Sequence, residues 1–443
     1  MSGTDHGQIR RAARLILVTR FWGFAAAPIS LLVNTHSLSQ EAQGYFYSFY
    51  ALVAASVLVE LGLSQVLMTI SSHHRHDLVS FNRHGMEGDA ETLDRLGWLL
   101  SRATIWMATG APLFVILIGS LGAWCLSGHT GDVVWWGPWI AVVLLAVPGL
   151  LVAPVVAILE GCGLVADVAC LRLAQVVLPA IAMWLSLLNG AMLWAPAIGS
   201  ATGGVLAFVF LFRYRHLCLS LWRRMKPANV RWSSEVWPLQ WRYGISWLCG
   251  WFMSQYLVPL VLRVDGPVHA GQLGISINLA WTLIGIGSVW INAANPELGR
   301  LAAGRQWAAM DVIWKKAIVR GMLVSLFGAC SVMVGLEVLH VLWPKLAIRF
   351  LSPGLLAWVL VYALAHVFIS GVAVHLRAHR SEPFLILSIV EGVAIAGFAT
   401  VCVVPFGVAG VVVSQAIIHL AIGLGGALFL RHHFLPKFRM SSL

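Results

Sequence analysis

Residues 15–34, LILVTRFWGFAAAPISLLVN, decide the fold class, because they form an apolar stretch with a single charged side chain, Arg20. A helix that crosses a bilayer needs about 20 predominantly apolar residues. The stretch therefore predicts a membrane-spanning helix that holds a permanent charge a few residues from its start.

The composition extends this prediction to nearly the whole chain. Of 443 residues, 59% are hydrophobic and 11% are charged, and the mean hydropathy is +0.83. A soluble domain has roughly 25% charged residues, so lipid is the predicted solvent. The formal net charge of +11 is useful for predicting how the chain is oriented in the membrane, because Lys and Arg collect in cytoplasmic loops. No soluble module offers a basic face, so no nucleic-acid partner is expected.

Further apolar runs of spanning length follow along the chain. Together they predict an all-α polytopic membrane protein with about twelve transmembrane helices. The runs are 15–34, 45–71, 98–126, 134–158, 168–188, 192–213, 243–264, 272–296, 317–343, 354–376, 384–404 and 407–430.

The loops between these runs divide by charge. With the N-terminus in the cytoplasm, the inward loops and both termini hold nearly all the Lys and Arg residues. The outward loops hold only Lys345 and Arg349. This asymmetry predicts that both termini are cytoplasmic.

The chain also shows a faint internal repeat. Residues 189–216 and 405–433 each combine a tight outward turn, a helix with spaced small residues and a basic exit. Two parallel repeats of six helices are related by an axis along the membrane normal, with the substrate path between them. We therefore predict an N-terminal six-helix lobe at 1–225 and a C-terminal six-helix lobe at 226–443.

Metal, cofactor and catalytic sites are not predicted. The seven cysteines are scattered and form no CxxC pair, so small apolar packing residues are expected. The clusters SSHHRHD (71–77) and LRHHF (430–434) fit a basic patch on anionic lipid better than a zinc site.

Several motifs resemble a known family. They are LSQEAQGYFYSFYAL (38–52), VELGLSQVLM (59–68), LEGCGLVADVACLRLAQ (159–175), GPVHAGQLGISINLAW (266–281) and LRAHRSEPFLILSIVEG (376–392). Their order and placement resemble those of polysaccharide exporters and Wzx-type O-antigen flippases. These belong to the multidrug/oligosaccharidyl-lipid/polysaccharide (MOP) superfamily, together with MATE exporters and lipid II flippases.

The resemblance implies a two-lobe, monomeric transporter of the bacterial inner membrane that works by alternating access. Its substrate would be an anionic lipid-linked saccharide, a precursor of O-antigen, lipopolysaccharide or another polysaccharide. The partners implied are membrane lipids and the polymerase or glycosyltransferases of the same pathway.

Arg20 and Glu60 are the two most notable charges within the spans. Arg20 lies about 9 Å beyond Arg14 along a helix, so it either snorkels to the surface or faces a cavity and binds phosphate through its forked donors. Glu60 is too deep to snorkel, so it is expected to pair with Arg20, cap a backbone or carry a coupling proton.

Other polar residues in the spans are candidates on chemical grounds. Amides both donate and accept hydrogen bonds and suit either helix packing or sugar hydroxyls. Histidine and a buried carboxylate suit proton coupling or ordinary packing. The substrate-binding candidates are Arg20, Glu60, Arg263, Gln255, Asn278 and Asn292, and the coupling candidates are Glu60, Glu391 and His366.

Three other functions remain open. A MATE-type antiporter of cations shares the fold but is expected to present carboxylates in its cavity, whereas the first helix has Arg20. A membrane-embedded polymerase or glycosyltransferase needs paired carboxylates or a nucleophile at the surface, for which the outward loops are too short. A non-transporting partner in envelope assembly is the last alternative.

Overall fold

A computed structural model describes residues 3–81, 85–129, 131–224, 231–379 and 383–440. Of the described residues, 89% are helical, because each backbone N–H and C=O in lipid must be satisfied within its own segment. The α-helices of the described residues are α1 (Gly3–Ser37), α2 (Gln40–Val53), α3 (Val57–Glu60), α4 (Leu63–His73), α5 (Ala90–Leu126), α6 (Trp136–Gly161), α7 (Val165–Leu188), α8 (Ala195–Arg213), α9 (Arg215–Trp222), α10 (Trp232–Glu235), α11 (Trp237–Ser254), α12 (Leu257–Val264), α13 (Pro267–Ala303), α14 (Trp307–Leu342), α15 (Pro344–Ala347), α16 (Pro353–Arg377), α17 (Phe384–Ile418) and α18 (Gly425–Met440).

The count of spanning helices agrees with the predicted class. Within the described ranges, 10 helices are long and apolar enough to cross a membrane, and the pair α11 and α12, bent by 43°, raises the number to 11. Phe384–Pro436 is a continuous helical segment of 53 residues with a kink at Gly407 (φ 56°, ψ −143°). The prediction of an all-α polytopic protein is confirmed, but the last two spans are joined through this kink rather than by a loop.

The predicted span 45–71 is not one straight helix. It is divided into α2, a 3₁₀ turn (Ala54–Ser56), α3 and α4, with Leu61 and Gly62 both in the left-handed region. A Cβ atom at Gly62 would lie 2.4 Å from Cβ of Tyr243 on α11. Glycine is therefore required at this break, both for its positive φ and for the close approach of α11.

A short β-hairpin was not predicted. Strands β1 (Leu78–Phe81) and β2 (Met86–Gly88) pair antiparallel between α4 and α5. The hairpin occupies an inward loop of the predicted topology and does not change the fold class.

The chain contains two compact units. The first unit is Met1–Ala42 with Phe49–Leu248. Within it α1 packs on α7, where Nε1 of Trp184 donates to Oγ of Ser30 at 2.9 Å. Helices α4, α5 and α8 pack around α6, and Trp139 of α6 is buried against Phe49.

The second unit is Gln43–Ser48 with Cys249–Leu443. Its centre is α13, which packs on α14 and α16. Nε2 of Gln43 donates to the carbonyl oxygen of Gly271 on α13 at 3.0 Å. The predicted lobe boundary between residues 225 and 226 falls outside the described residues and stays a prediction, as does the cytoplasmic placement of the termini.

Two cysteines outside the spans are expected to resist alkylation. Burial raises the pKa of Cys162 to about 12 and that of Cys218 to about 11. At neutral pH the thiolate of Cys218 should be about 100-fold scarcer than that of a thiol with an ordinary pKa. Maleimide labelling followed by peptide mass spectrometry should therefore be slow in the folded protein and fast in SDS. Equal rates in both states would contradict the prediction.

Candidate functional site

A buried polar cluster lies in the second unit, at the end of α17. Glu391 of α17 and His419 are 4% and 2% exposed, and Nδ1 of His419 is hydrogen bonded to Oε1 of Glu391. His419 begins a π-helix, His419–Leu424, between α17 and α18. Single π-helical turns inside α-helices occur frequently at functional sites.

Aromatic rings from neighbouring helices surround His419. Its ring centroid lies 4.4 Å from that of Tyr362 and 5.4 Å from that of His366, with the two imidazoles stacked at 17°. Tyr362 and His366 are four residues apart on α16 and therefore share one face of the helix. Trp281 of α13 contacts His366 edge-on at 5.4 Å. We call Glu391, His419, His366 and Tyr362 the Glu–His cluster.

The cluster contains hydrogen-bonding nitrogens without partners. In the part of the chain that the structure describes, Nε2 of His419, Nδ1 of His366 and Nε1 of Trp281 are buried and make no hydrogen bond. Most buried polar side-chain atoms are bonded to protein or ordered water. Because neutral imidazole both donates and accepts hydrogen bonds, these side chains have the groups needed to take up and pass on a proton.

The π-helix also fixes the position of the carboxylate. A Cβ atom at Gly423 would lie 2.9 Å from Oε1 and 3.0 Å from Oε2 of Glu391. Glycine therefore lets the backbone of the π-helix approach the carboxylate. This close packing holds the Glu391 side chain beside His419.

Two of the predicted coupling candidates are thus brought together. Glu391 and His366 both contact His419, whereas the sequence suggested them separately. Sequence reasoning missed Tyr362, although its four-residue spacing from His366 on an apolar helix was a usable indication. The coupling role itself stays a prediction.

The first-unit candidates are Arg20 and Glu60. Arg20 is exposed on α1, and Glu60 is partly exposed at the last residue of α3. Within the described ranges the two side chains form no ion pair with each other or with another residue. The two roles predicted for Arg20, as a snorkelling anchor or as a phosphate ligand, both remain open.

The remaining candidates lie in the second unit. Gln255 is partly buried at the bend between α11 and α12, and Arg263 is partly buried on α12. Asn278 and Asn292 are exposed on α13. Gln255, Asn278 and Asn292 make no side-chain hydrogen bond to the Glu–His cluster among the described residues, and the predicted part of all four candidates in substrate binding stays a prediction.

Asp265 has a structural role that the sequence did not indicate. Its Oδ2 accepts a hydrogen bond from the backbone N–H of Val408 at 2.6 Å, directly after the kink at Gly407. Its Oδ1 lies 3.2 Å from Nδ1 of His269. A Cβ atom at Gly407 would lie 2.6 Å from Oδ2. The Asp265 carboxylate therefore connects the DGP turn (265–267) to the PFG turn (405–407).

Removing this carboxylate should destabilise the kink. In Asp265→Ala the N–H of Val408 loses its acceptor, so we expect the free energy of unfolding to fall by about 1–3 kcal/mol, with a smaller loss in Asp265→Asn. Thermal unfolding in detergent would measure this. Asp132→Ala, an exposed carboxylate in another outward loop, is the control, and equal midpoints for it and Asp265→Ala would contradict the prediction.

Several solved structures of known proteins have a similar fold. No protein-family model and no curated protein sequence matches the chain. A multidrug resistance MATE family transporter of the MOP superfamily in an inward-facing conformation is similar in structure, with a TM-score of 0.67 and 14% identity over 95% of this chain and 96% of that one. The lipid II flippase MurJ in an inward closed conformation has a TM-score of 0.64 and 13% identity over 97% and 89%.

A third similar structure is a MOP superfamily transporter from Pyrococcus furiosus, with a TM-score of 0.52 and 14% identity over 95% of each chain. These similarities cover nearly the full length of each protein. The chain is a multi-pass membrane protein with the fold of MOP-superfamily transporters. A multidrug resistance transporter and a lipid II flippase share this fold, so the fold does not identify the substrate.

Proposed function

We propose that the protein is a transporter that flips an anionic lipid-linked saccharide across the bacterial cytoplasmic membrane, in the manner of the polysaccharide exporters that its motifs resemble. The observation that carries this proposal is Arg20, an exposed cation in an apolar helix that has no ion-pair partner among the described residues. A charge within a membrane span is costly and marks substrate or ion pathways by default.

The chemistry of α1 favours an anionic substrate. From residue 15 to the end of α1 at Ser37 the helix carries Arg20 and no Asp or Glu. A guanidinium pairs with phosphate oxygens through two parallel hydrogen bonds, which suits a polyprenyl phosphate or pyrophosphate. An exporter of positively charged compounds would be served by a carboxylate at this place.

Flipping in proteoliposomes tests the proposal. The substrate is a fluorescent polyprenyl-pyrophosphate saccharide, and the proteins are wild type, Arg20→Ala, Arg20→Lys and the control Arg102→Ala, which removes an exposed arginine of α5. Loss of a charged hydrogen bond of 1.5–3 kcal/mol should slow flipping about 10- to 100-fold in Arg20→Ala, with part retained in Arg20→Lys.

Two results would contradict the proposal in different ways. Wild-type rates in both Arg20 variants would make Arg20 a snorkelling anchor and remove the phosphate site. Absence of flipping by the wild-type protein with several glycolipids would remove the flippase function and favour a non-transporting role.

A second candidate function is a MATE-type antiporter driven by protons. The buried pair of Glu391 and His419 supports it, because such a pair can exchange a proton during transport. Accumulation of a cationic dye in wild-type proteoliposomes under an imposed pH gradient, without flipping of the glycolipid, would favour this function over the first.

A further inference from the structure

A cavity within the first unit is lined in part by polar side chains, and the function proposed above assigns it no role. Its volume is about 250 Å³, and residues of α4, α6, α7, α8 and α11 line it. Residues 159–175, one of the segments that resemble polysaccharide exporters, contribute three of its polar side chains. The polar and aromatic lining residues are Ser64, Gln65, Glu160, Arg172, Gln175 and Trp247.

The amide groups in this cavity are available to a ligand. The side chains of Gln65 and Gln175 are partly exposed and make no hydrogen bond with any residue that the structure describes. Each amide offers a carbonyl acceptor and two N–H donors. Two such groups facing one cavity suit a ligand that both donates and accepts, as hydroxyl groups do.

An ion pair forms another part of the lining. Nη2 of Arg172 donates to Oε2 of Glu160 at 2.6 Å. The Glu160 side chain is 15% exposed and the Arg172 side chain 58%. The carboxylate is therefore mostly buried, whereas the guanidinium is accessible to a ligand. The charges of the pair offset each other, which favours a neutral polar ligand over an ion, while the free N–H groups of Arg172 remain donors.

Trp247 supplies an aromatic surface of the cavity. Its side chain is 38% exposed and lines the same space as the amides. A pyranose ring has hydroxyl groups at its rim and C–H groups on its faces, and an indole combines a large, rigid apolar face with little conformational freedom. The combination of an aromatic face with amides and an oriented ion pair matches a sugar ring.

A second cavity of the first unit provides a contrast. It has a volume of about 390 Å³ and is lined by residues that include Trp136, Trp139 and Leu144, with no charged or amide side chain. Such a space suits a hydrocarbon chain. Of these two cavities, the smaller one has the charged and amide side chains, and therefore the chemistry for a saccharide.

We propose that the cavity of Gln65, Glu160, Arg172, Gln175 and Trp247 binds the sugar ring nearest the lipid of a lipid-linked saccharide. This inference rests on the proposed function and specifies it: Arg20 binds the phosphate, and the cavity distinguishes a substrate that carries sugar from the bare lipid phosphate.

Binding of two probes to the purified full-length protein tests the inference. The probes are farnesyl pyrophosphate and farnesyl pyrophosphate carrying one N-acetylglucosamine. Wild type should bind the sugar probe more tightly. Gln65→Leu/Gln175→Leu should weaken the sugar probe about 30-fold, because two hydrogen bonds of about 1 kcal/mol each are lost, and should leave the bare probe unchanged. Trp247→Leu should act in the same direction.

Unchanged binding of the bare probe also shows that the amide and Trp247 variants are folded. Trp136→Leu, which alters the apolar cavity, is the matched control and should bind both probes as wild type does. Arg20→Ala should weaken both probes alike. Equal wild-type affinity for the two probes, or equal loss of both in the amide variant, overturns the sugar site and leaves the flippase proposal intact. Failure of wild type to bind either probe overturns both proposals.

Discussion

Replacing Glu391 with alanine is expected to lower the free energy of unfolding by about 3 kcal/mol and to abolish coupled transport. The change removes the only hydrogen bond of the buried His419 side chain in the described structure. It also leaves a cavity beside Gly423, where the carboxylate now fills the space against the π-helix. Both effects act on groups that water does not reach.

Glu391→Gln separates the structural role from the coupling role. Glutamine has nearly the volume of glutamate and still offers His419 a hydrogen-bonding partner, but it cannot ionise. We therefore expect a thermal midpoint near that of wild type. If the Glu–His cluster carries the coupling proton, transport by this variant should lose its dependence on an imposed pH gradient while downhill movement persists.

The measurement combines thermal unfolding in detergent with transport in proteoliposomes with and without a pH gradient. Glu297→Gln is the matched control, because Glu297 lies in the second unit but forms an exposed ion pair with Arg300 on its own helix. That variant should behave as wild type in both assays. A gradient response that is unchanged in Glu391→Gln would assign the cluster to packing alone.

The class of fold could be predicted from the sequence, because the pattern that specifies a spanning helix is local. A run of about 20 apolar residues specifies a spanning helix without reference to the rest of the chain, and ten helices of the described structure meet that criterion. The breaks were harder to predict. The kink at Gly407 and the left-handed residues Leu61 and Gly62 depend on contacts with Asp265 and Tyr243, which lie far away along the chain.

The contacts within the candidate site could not be predicted for the same reason. Glu391 and His366 were selected for their chemistry, since ionisable groups inside spans are costly and therefore notable. Their contact through His419 depends on the packing of α16 against α17 and the π-helix. No local pattern in the apolar segment around His419 indicates a π-helix, so the sequence could not assemble the cluster.

Gly44→Ala is expected to be the most destabilising single-methyl change in the second unit. Gly44 lies on α2 in the sequence QGYF, part of the segment 38–52 that resembles polysaccharide exporters. A Cβ atom there would lie 1.9 Å from the carbonyl oxygen of Pro267 and 2.7 Å from its carbonyl carbon. These are backbone atoms at the start of α13, so no side-chain rotation can relieve the overlap.

Helices α2 and α13 also approach closely at a second point. A Cβ atom at Gly274, two turns further along α13, would lie 2.5 Å from Cβ of Tyr47. A methyl group at position 44 would therefore have to separate two helices that are packed at two points. Overpacking a filled site costs about 1–3 kcal/mol and more where backbone must move, so we expect a loss of at least about 3 kcal/mol.

The test compares thermal unfolding of purified Gly44→Ala with that of Gly23→Ala. Gly23 is inside α1, and nothing lies within 4 Å of its added Cβ atom, so this control should be neutral or more stable by up to about 1 kcal/mol. Adding Pro267→Ala to Gly44→Ala should restore nothing, because the overlap involves the backbone of residue 267. If the second change did rescue stability, the pyrrolidine ring would be responsible, and the role assigned to glycine in this motif would be wrong.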